Sequence, residues 1–389
     1  MNRMQILFFI VIVPLACNAP AAEIATNPRF PEFSWDHVPL YMHMRKSKAF
    51  TLEELEYLAG FPIITLEKTT GSGTYGSTEK GSLEAAKAIK SHNPDAKVLY
   101  YRNVMVHYQG YDVNRTLSEI EHPLLSDSSG NTNIVHGGKR GAYDLTNPEV
   151  RKWWVDHCVE MAGHGQVDGI FIDGNIKALE PAFLGQVIGK DKKSQIARGY
   201  KQMMKDLHER TGKDKLLIAN LIRARLANSG LEYLDYLHGS YIEAFESQAN
   251  GLTRLEYIAK GIDAVQQAAR DGKIICFSMG LGRARKAGIG IDDTRMKAGE
   301  ASLIRERLTY SLAVFLICAE KYSYFLAHDG YSVNGDDSSV WLKLFPEYQK
   351  PLGPPKGPAA RKGHIYTREF EYASVWLDIE HEKASIEWK

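Results

Sequence analysis

Two carboxylates stand out by their place in the chain. Asp173 closes the run Val167-Asp168-Gly169-Ile170-Phe171-Ile172-Asp173-Gly174-Asn175, and Glu243 lies within Tyr241-Ile242-Glu243-Ala244-Phe245. An apolar run ending on Asp and Gly is the pattern of a buried parallel strand meeting a loop. Gly174 lets the backbone turn away at once. Two carboxyl groups brought face to face support cleavage of a glycosidic bond: one protonates the leaving oxygen, the other stabilises or attacks the anomeric carbon. A separation of roughly 5–5.5 Å retains the anomeric configuration and a wider one inverts it. Each acid also has an ordinary reading. Asp173 could cap the next helix, and Glu243 could form a rim ion pair with Arg102, Arg223 or another base. Glu246, one turn further on, is a rival for the acid role.

The elements that must position these groups alternate regularly. Strand-like runs at 38–44, 61–66, 96–101, 167–175, 215–221, 241–245, 273–279 and 322–326 are separated by helix-like runs. Thr51 and Glu54 form a capping box, and Asn147-Pro148 is a cap followed by a first-turn proline. Eight such pairs predict a (β/α)8 barrel over residues 35–335, an α/β fold whose chemistry sits at the C-terminal ends of the strands. An open doubly wound sheet would show a glycine fingerprint after its first strand, and none follows Met44. The fourth and sixth strands of a closed barrel have one strand between them, so Asp173 and Glu243 face each other across the mouth. The strand ends further offer His43, Arg45, Glu67, Lys68, Asn103, Ser278 and His328. Tyr101, Arg102, Asn175, Asn220, Glu246 and Asp329 are expected to bind substrate. The long connection from Asn103 to Asn147 carries Tyr108, Tyr111 and Tyr143 and is expected to shape the cleft. Residues 336–389 open with a Pro/Gly-rich stretch and continue in strand-like runs at 364–370 and 372–377, which predicts a small β appendage packed on the barrel.

Composition narrows the partners. The chain has 48 basic and 47 acidic residues, a net charge of +1, so no global field favours nucleic acid. Its 20 Tyr and 6 Trp supply aromatic faces for packing on sugar rings, so a carbohydrate partner is expected. No H-x-H pair, G-x-S-x-G elbow or P-loop ending is present, so neither a metal nor another cofactor is expected. Arg3, the short apolar run Ile6–Leu15 and the small residues after it follow the plan of an export signal, with cleavage near Ala19–Ala22. That predicts a leader over residues 1–22, no membrane span, and a periplasmic or extracellular location. Cys17 is an alternative lipid anchor. Cys158, Cys276 and Cys318 are too widely spaced for a zinc site or disulfide framework and read as buried thiols. Oligomeric state is not legible.

The stretches Tyr143-Asp144-Leu145-Thr146-Asn147-Pro148, 167–175 and 241–245, with Leu352-Gly353-Pro354-Pro355 and Arg368-Glu369-Phe370, resemble a family of bacterial TIM-barrel glycoside hydrolases. That family is similar in pattern to the endo-α-1,4-polygalactosaminidase group and to α-galactosidase-like barrels. The resemblance runs from about Trp35 to Leu377. It implies a glycoside hydrolase with Asp173 as nucleophile and Glu243 as acid/base; with the leader, the expectation is an exported enzyme acting on a polysaccharide or oligosaccharide with retention. A glycan-binding barrel without catalysis, serving polysaccharide utilisation, is the alternative.

Overall fold

The structure, a computed structural model, describes residues 29–247, 251–281, 298–327, 331 and 344–389. The expected leader, Cys17, His328 and Asp329 lie outside the described residues.

Eight parallel strands run in chain order in one sheet: β1 (Met42–Met44), β2 (Ile63–Leu66), β3 (Lys97–Asn103), β4 (Gly169–Asp173), β5 (Leu216–Asn220), β6 (Gly239–Ile242), β7 (Ile274–Met279) and β8 (Ser323–Ala327). Closure comes from the segment just before β1. The Phe325 amide donates to Pro39 O (2.8 Å) and the Tyr41 amide to Phe325 O (3.3 Å). The expected (β/α)8 barrel is the fold. Its strands are buried on both faces, which is why they read as unbroken apolar runs rather than alternating ones. Inward positions Tyr41, Ile63, Leu99, Tyr101, Phe171, Ile218, Tyr241, Cys276 and Tyr324 pack as one cluster inside the ring. Gly169 opens β4 because a Cβ there would lie 2.1 Å from Leu216 O on the neighbouring strand.

The helices are α1 (Leu52–Ala59), α2 (Ser72–Tyr75), α3 (Thr78–His92), α4 (Asn114–Leu117), α5 (Pro148–Gly163), α6 (Asn175–Leu179), α7 (Gly185–Ile188), α8 (Lys190–Arg210), α9 (Arg254–Arg270) and α10 (Ala298–Cys318). Local sequence starts them as anticipated. Thr51 and Glu54 close a reciprocal capping box on α1, and Asn147 accepts from the Glu149 amide ahead of Pro148 on α5. The expected helix over 226–236 is reduced to a 3-10 turn at Leu231–Tyr236. Ser229 and Gly230 adopt φ of +52° and +83°, which an α-helix cannot contain. Cys158, Cys276 and Cys318 are buried and unpaired, and burial raises each thiol above its ordinary value. No described helix is long and apolar enough to cross a membrane.

The C-terminal segment forms a four-stranded antiparallel sheet, β9 (Ala360–Lys362), β10 (Ile365–Glu369), β11 (Ala373–Asp378) and β12 (Lys383–Trp388), in the order β12-β11-β10-β9. Sequence reading found β10 and β11. It missed β9 and β12, whose polar residues give no apolar run. Arg368 anchors this sheet to the barrel. Its guanidinium donates to Leu316 O (3.1 Å) and to Ala319 O at the end of α10, and pairs with Glu320 (2.8 Å). It thus satisfies carbonyls that the helix end leaves open.

Candidate active site

Period-two alternation decides which strand-end side chains enter the mouth. On β3, Leu99 and Tyr101 point inward, so Asn103 does too. The strand runs two residues further than the sequence suggested, and this brings Asn103 onto it. Tyr101 Oη donates to Asp173 Oδ2 at 2.5 Å, and Asn103 Nδ2 donates to the same oxygen at 3.0 Å. The Asn103 amide has one possible orientation, because its Oδ1 already accepts the Met105 and Val106 amides at 3.0 and 2.7 Å. Gly174 follows with φ of +82°, and a Cβ there would meet Asn103 Oδ1 at 2.4 Å. Glycine is therefore required where β4 hands over to α6.

The other oxygen of Asp173 leads to the second acid. Asn220, at the end of β5, donates from Nδ2 to Asp173 Oδ1 (3.1 Å) and to Glu243 Oε2 (2.8 Å). Arg223 donates to Asn220 Oδ1 at 2.6 Å, which turns the amide nitrogen toward both carboxylates. The two bridged oxygens are therefore no more than about 5.9 Å apart, the sum of those two distances. Glu243 also accepts from Tyr331 Oη at 2.5 Å and lies 3.5 Å from Arg223. Tyr331 in turn meets the Tyr241 hydroxyl at 2.6 Å. β6 ends at Ile242, so Glu243 sits on the turn beyond it. There Ala244 takes φ of +51°, a left-handed conformation that costs a non-glycine residue about 1–2 kcal/mol. Such strain clusters where a side chain must be aimed.

Electrostatics separate the two acids. Burial disfavours charge on Asp173. The Tyr101 hydroxyl, Lys177, Lys68 and the Gly174 amide outweigh it and hold the carboxyl below its ordinary value. Glu243 is the more open group, its side chain 40% exposed. It borders a hollow of about 430 Å³ whose walls include Glu246, Ser278, Met279, Arg307 and Tyr331. Asp173 is not among its lining residues and is linked to Glu243 through the Asn220 bridge.

The remaining candidates divide. Tyr101 and Asn220 join the two acids. Arg102 does not: it sits on the outward register of β3, buried under the long connection. Its guanidinium lies 4.4, 5.2 and 5.9 Å from the ring centroids of Tyr111, Trp153 and Tyr143. Asn175 is fully buried behind the mouth, with Nδ2 on Ile172 O (2.8 Å) and Asn220 O (3.1 Å) and Oδ1 on the Tyr200 hydroxyl (2.9 Å). It ties the ends of β4 and β5 together. Glu246 lines the hollow, but Arg254 (3.2 Å) and Arg307 hold it. Sequence reading offered Arg223 only as a rim ion-pair partner of Glu243, and it passed over Tyr331. Tyr331 gave no signal, because it follows the last strand rather than ending one. Among the described residues, no group of three or more His, Cys, Asp or Glu could hold a metal ion.

The sequence profile of hypothetical glycosyl hydrolase family 15 matches residues 90–374, a span that contains β3 through β8 and both acids. The chain belongs to that family. As a member of hypothetical glycosyl hydrolase family 15 it is a glycoside hydrolase. No curated protein sequence matches it. Solved structures of similar trace include the noncanonic maltogenic alpha-amylase AmyB from Thermotoga neapolitana, at 14% identity over 88% of this chain and 86% of that one, TM-score 0.46. The alpha-amylase GTA of Geobacillus thermoleovorans shares 14% identity over 89% and 87%, TM-score 0.47. The alpha-galactosidase TtGalA of Thermus thermophilus shares 12% over 90% and 68%, TM-score 0.46.

Proposed function

We propose that the protein hydrolyses a polysaccharide or oligosaccharide with retention, using Asp173 as nucleophile and Glu243 as acid/base. The observation that carries this reading is the Asn220 amide, which spans the two carboxylates. It holds their nearest oxygens within about 5.9 Å. That is close to the roughly 5–5.5 Å of retaining pairs and short of the 6.5–9.5 Å of inverting ones. Asp173, kept ionised by its donors, attacks the anomeric carbon. The glycosidic C–O bond breaks as Glu243 passes its proton to the leaving oxygen. Glu243 then takes a proton from water, the resulting hydroxide displaces Asp173 from the anomeric carbon, and both carboxyl groups return to their starting states. Tyr101, Asn103 and Asn220 orient Asp173, while Tyr331 and Arg223 orient Glu243.

Arg223 also favours the second reading, a glycan-binding barrel without catalysis, because a cation close to Glu243 opposes proton transfer. Its shorter bonds, however, go to Asn220 (2.6 Å) and Ile222 O (2.9 Å), and no two-pronged pair closes the carboxylate. Hydrolysis is the conclusion. On the same footing we assign residues 1–22 to an export leader, 35–335 to the catalytic barrel and 336–389 to the appendage. Export would place the enzyme in the periplasm or outside the cell, with Cys17 the alternative anchor. The test is a screen against diverse polysaccharides with the product anomer read by NMR. Asp173→Asn should abolish turnover while the protein still folds, as read by circular dichroism. Wild-type turnover by that variant would overturn the assignment.

A further inference from the structure

The two halves of the mouth differ in charge. On the side built by the ends of β1 to β4 lie four cations, Arg45, Lys68, Arg140 and Lys177, of which Lys177 and Lys68 act on Asp173. Lys68, after β2, lays its ammonium 4.9 Å from the Tyr101 ring and 5.2 Å from the Tyr108 ring. Tyr101 is the residue bonded to Asp173. Tyr108 meets the His136 ring edge-on at 6.0 Å, and Arg140 closes the same tight turn through its bridge to Val135. Lys177 stands one helical turn beyond Asp173 on α6, 5.9 Å from the Phe183 ring. Arg45 lies 3.6 Å from Glu67.

Only two described carboxylates answer these cations. Glu67 is taken by Lys68 and Arg45. The oxygens of Asp173 are taken by Tyr101, Asn103 and Asn220. Lys177 and Arg140 are partly buried, and neither pairs with a carboxylate among the described residues. Their field is felt nearby: burial together with Lys177, Lys68 and Arg140 holds the His136 imidazole below its ordinary value. On the opposite side Arg254 and Arg307 are spent on Glu246. The whole chain carries +1, so this excess is local rather than a general property of the surface.

We propose that this wall is a subsite for a negatively charged sugar residue, a uronate carboxylate or a sulfate ester, bound by Lys177 and Arg140 beside Asp173. The proposal rests on the glycoside hydrolase reading, because it takes Asp173 as the reacting centre. Partly desolvated cations with open donors gain more from an anion than from the hydroxyls of a neutral glycan. A guanidinium fork matches the oxygens of a carboxylate or sulfate. A polymer of amino sugars would be repelled.

Affinity electrophoresis tests this with polygalacturonate, its methyl ester, dextran sulfate, unmodified dextran and a galactosamine polymer. Retardation is expected with polygalacturonate or dextran sulfate, weakening as salt is raised. Retardation by one and not the other identifies the anion. Lys177→Gln and Arg140→Gln should each weaken it by ~10-fold, the loss of one charge-assisted hydrogen bond. Lys201→Gln, the same change of charge on the exposed surface of α8, should leave it unchanged. The proposal is overturned by no retardation with either anionic polymer, by equal retardation with the methyl ester or dextran, or by indifference to both site variants. Hydrolysis is measured in parallel. Cleavage of a neutral glycan without anion retention removes the subsite and leaves the hydrolase. Retention without cleavage of any glycan leaves the subsite and removes the hydrolase.

Discussion

Replacing Asn220 by Ala removes the one group among the described residues that hydrogen-bonds to both acids. Its Nδ2 donates at 3.1 Å to Asp173 and at 2.8 Å to Glu243. A hydrogen bond to a charged group is worth about 1.5–3 kcal/mol. When both acids are charged, carboxylate oxygens within about 5.9 Å of each other repel by on the order of 3 kcal/mol at an effective dielectric constant of 20, so the amide is comparable to the repulsion it bridges. Losing one bond's worth of this positioning in the transition state lowers kcat/KM by about 10- to 150-fold. Arg223 loses its 2.6 Å acceptor in the same variant, so melting temperature is recorded alongside the kinetics. The assay is initial-rate kinetics on the substrate found by screening, with the folded fraction confirmed by circular dichroism. A well-folded Asn220→Ala enzyme with kcat/KM within threefold of wild type would refute the idea that this amide holds the pair in register.

Tyr101→Phe removes the hydroxyl that does most to offset burial at Asp173, so the acid limb of the pH–kcat/KM profile should move to higher pH; an unmoved limb would separate that limb from Asp173. The folded Asp173 carboxyl lies below its ordinary value of 3.8, so its charge stabilises the fold above that pH, and this contribution is lost as pH falls through the folded value. In Tyr101→Phe, acid unfolding should therefore begin at higher pH. Gly174→Ala drives a methyl into Asn103 and imposes a left-handed alanine, a cost of about 1–3 kcal/mol, visible as a lower melting temperature together with lost turnover. Arg102→Ala empties an aromatic pocket outside the barrel. It should cost about 2–4 kcal/mol of stability in denaturant melts while the folded fraction keeps its kcat.

The barrel was readable because its strands are buried on both faces and several breaks carry a chemical signal, such as Thr51 with Glu54 or Asn147 with Pro148. Strand ends were less certain, and that uncertainty fell on the site. Placing the end of the third strand at Tyr101 left Asn103 as one strand-end candidate among several, without a role, and it made Arg102 look available. Counting by twos from Tyr101 would have turned Asn103 inward and Arg102 outward. Asn220 was found from its strand, but its role as a bridge depends on Arg223, which lies three residues into the next loop. Tyr331 reaches Glu243 from a segment whose pattern predicts no element. Loop residues that meet only in three dimensions leave no period in the sequence.

In the proposed reaction Asp173 forms a covalent bond to the sugar. The direct measurement is mass spectrometry of enzyme treated with activated 2-deoxy-2-fluoroglycosides, followed by peptide mapping. One added glycosyl unit is expected on the peptide carrying Asp173, absent in Asp173→Asn. A label on another residue, or first-formed product of inverted configuration from an active enzyme that never takes up label, would contradict it.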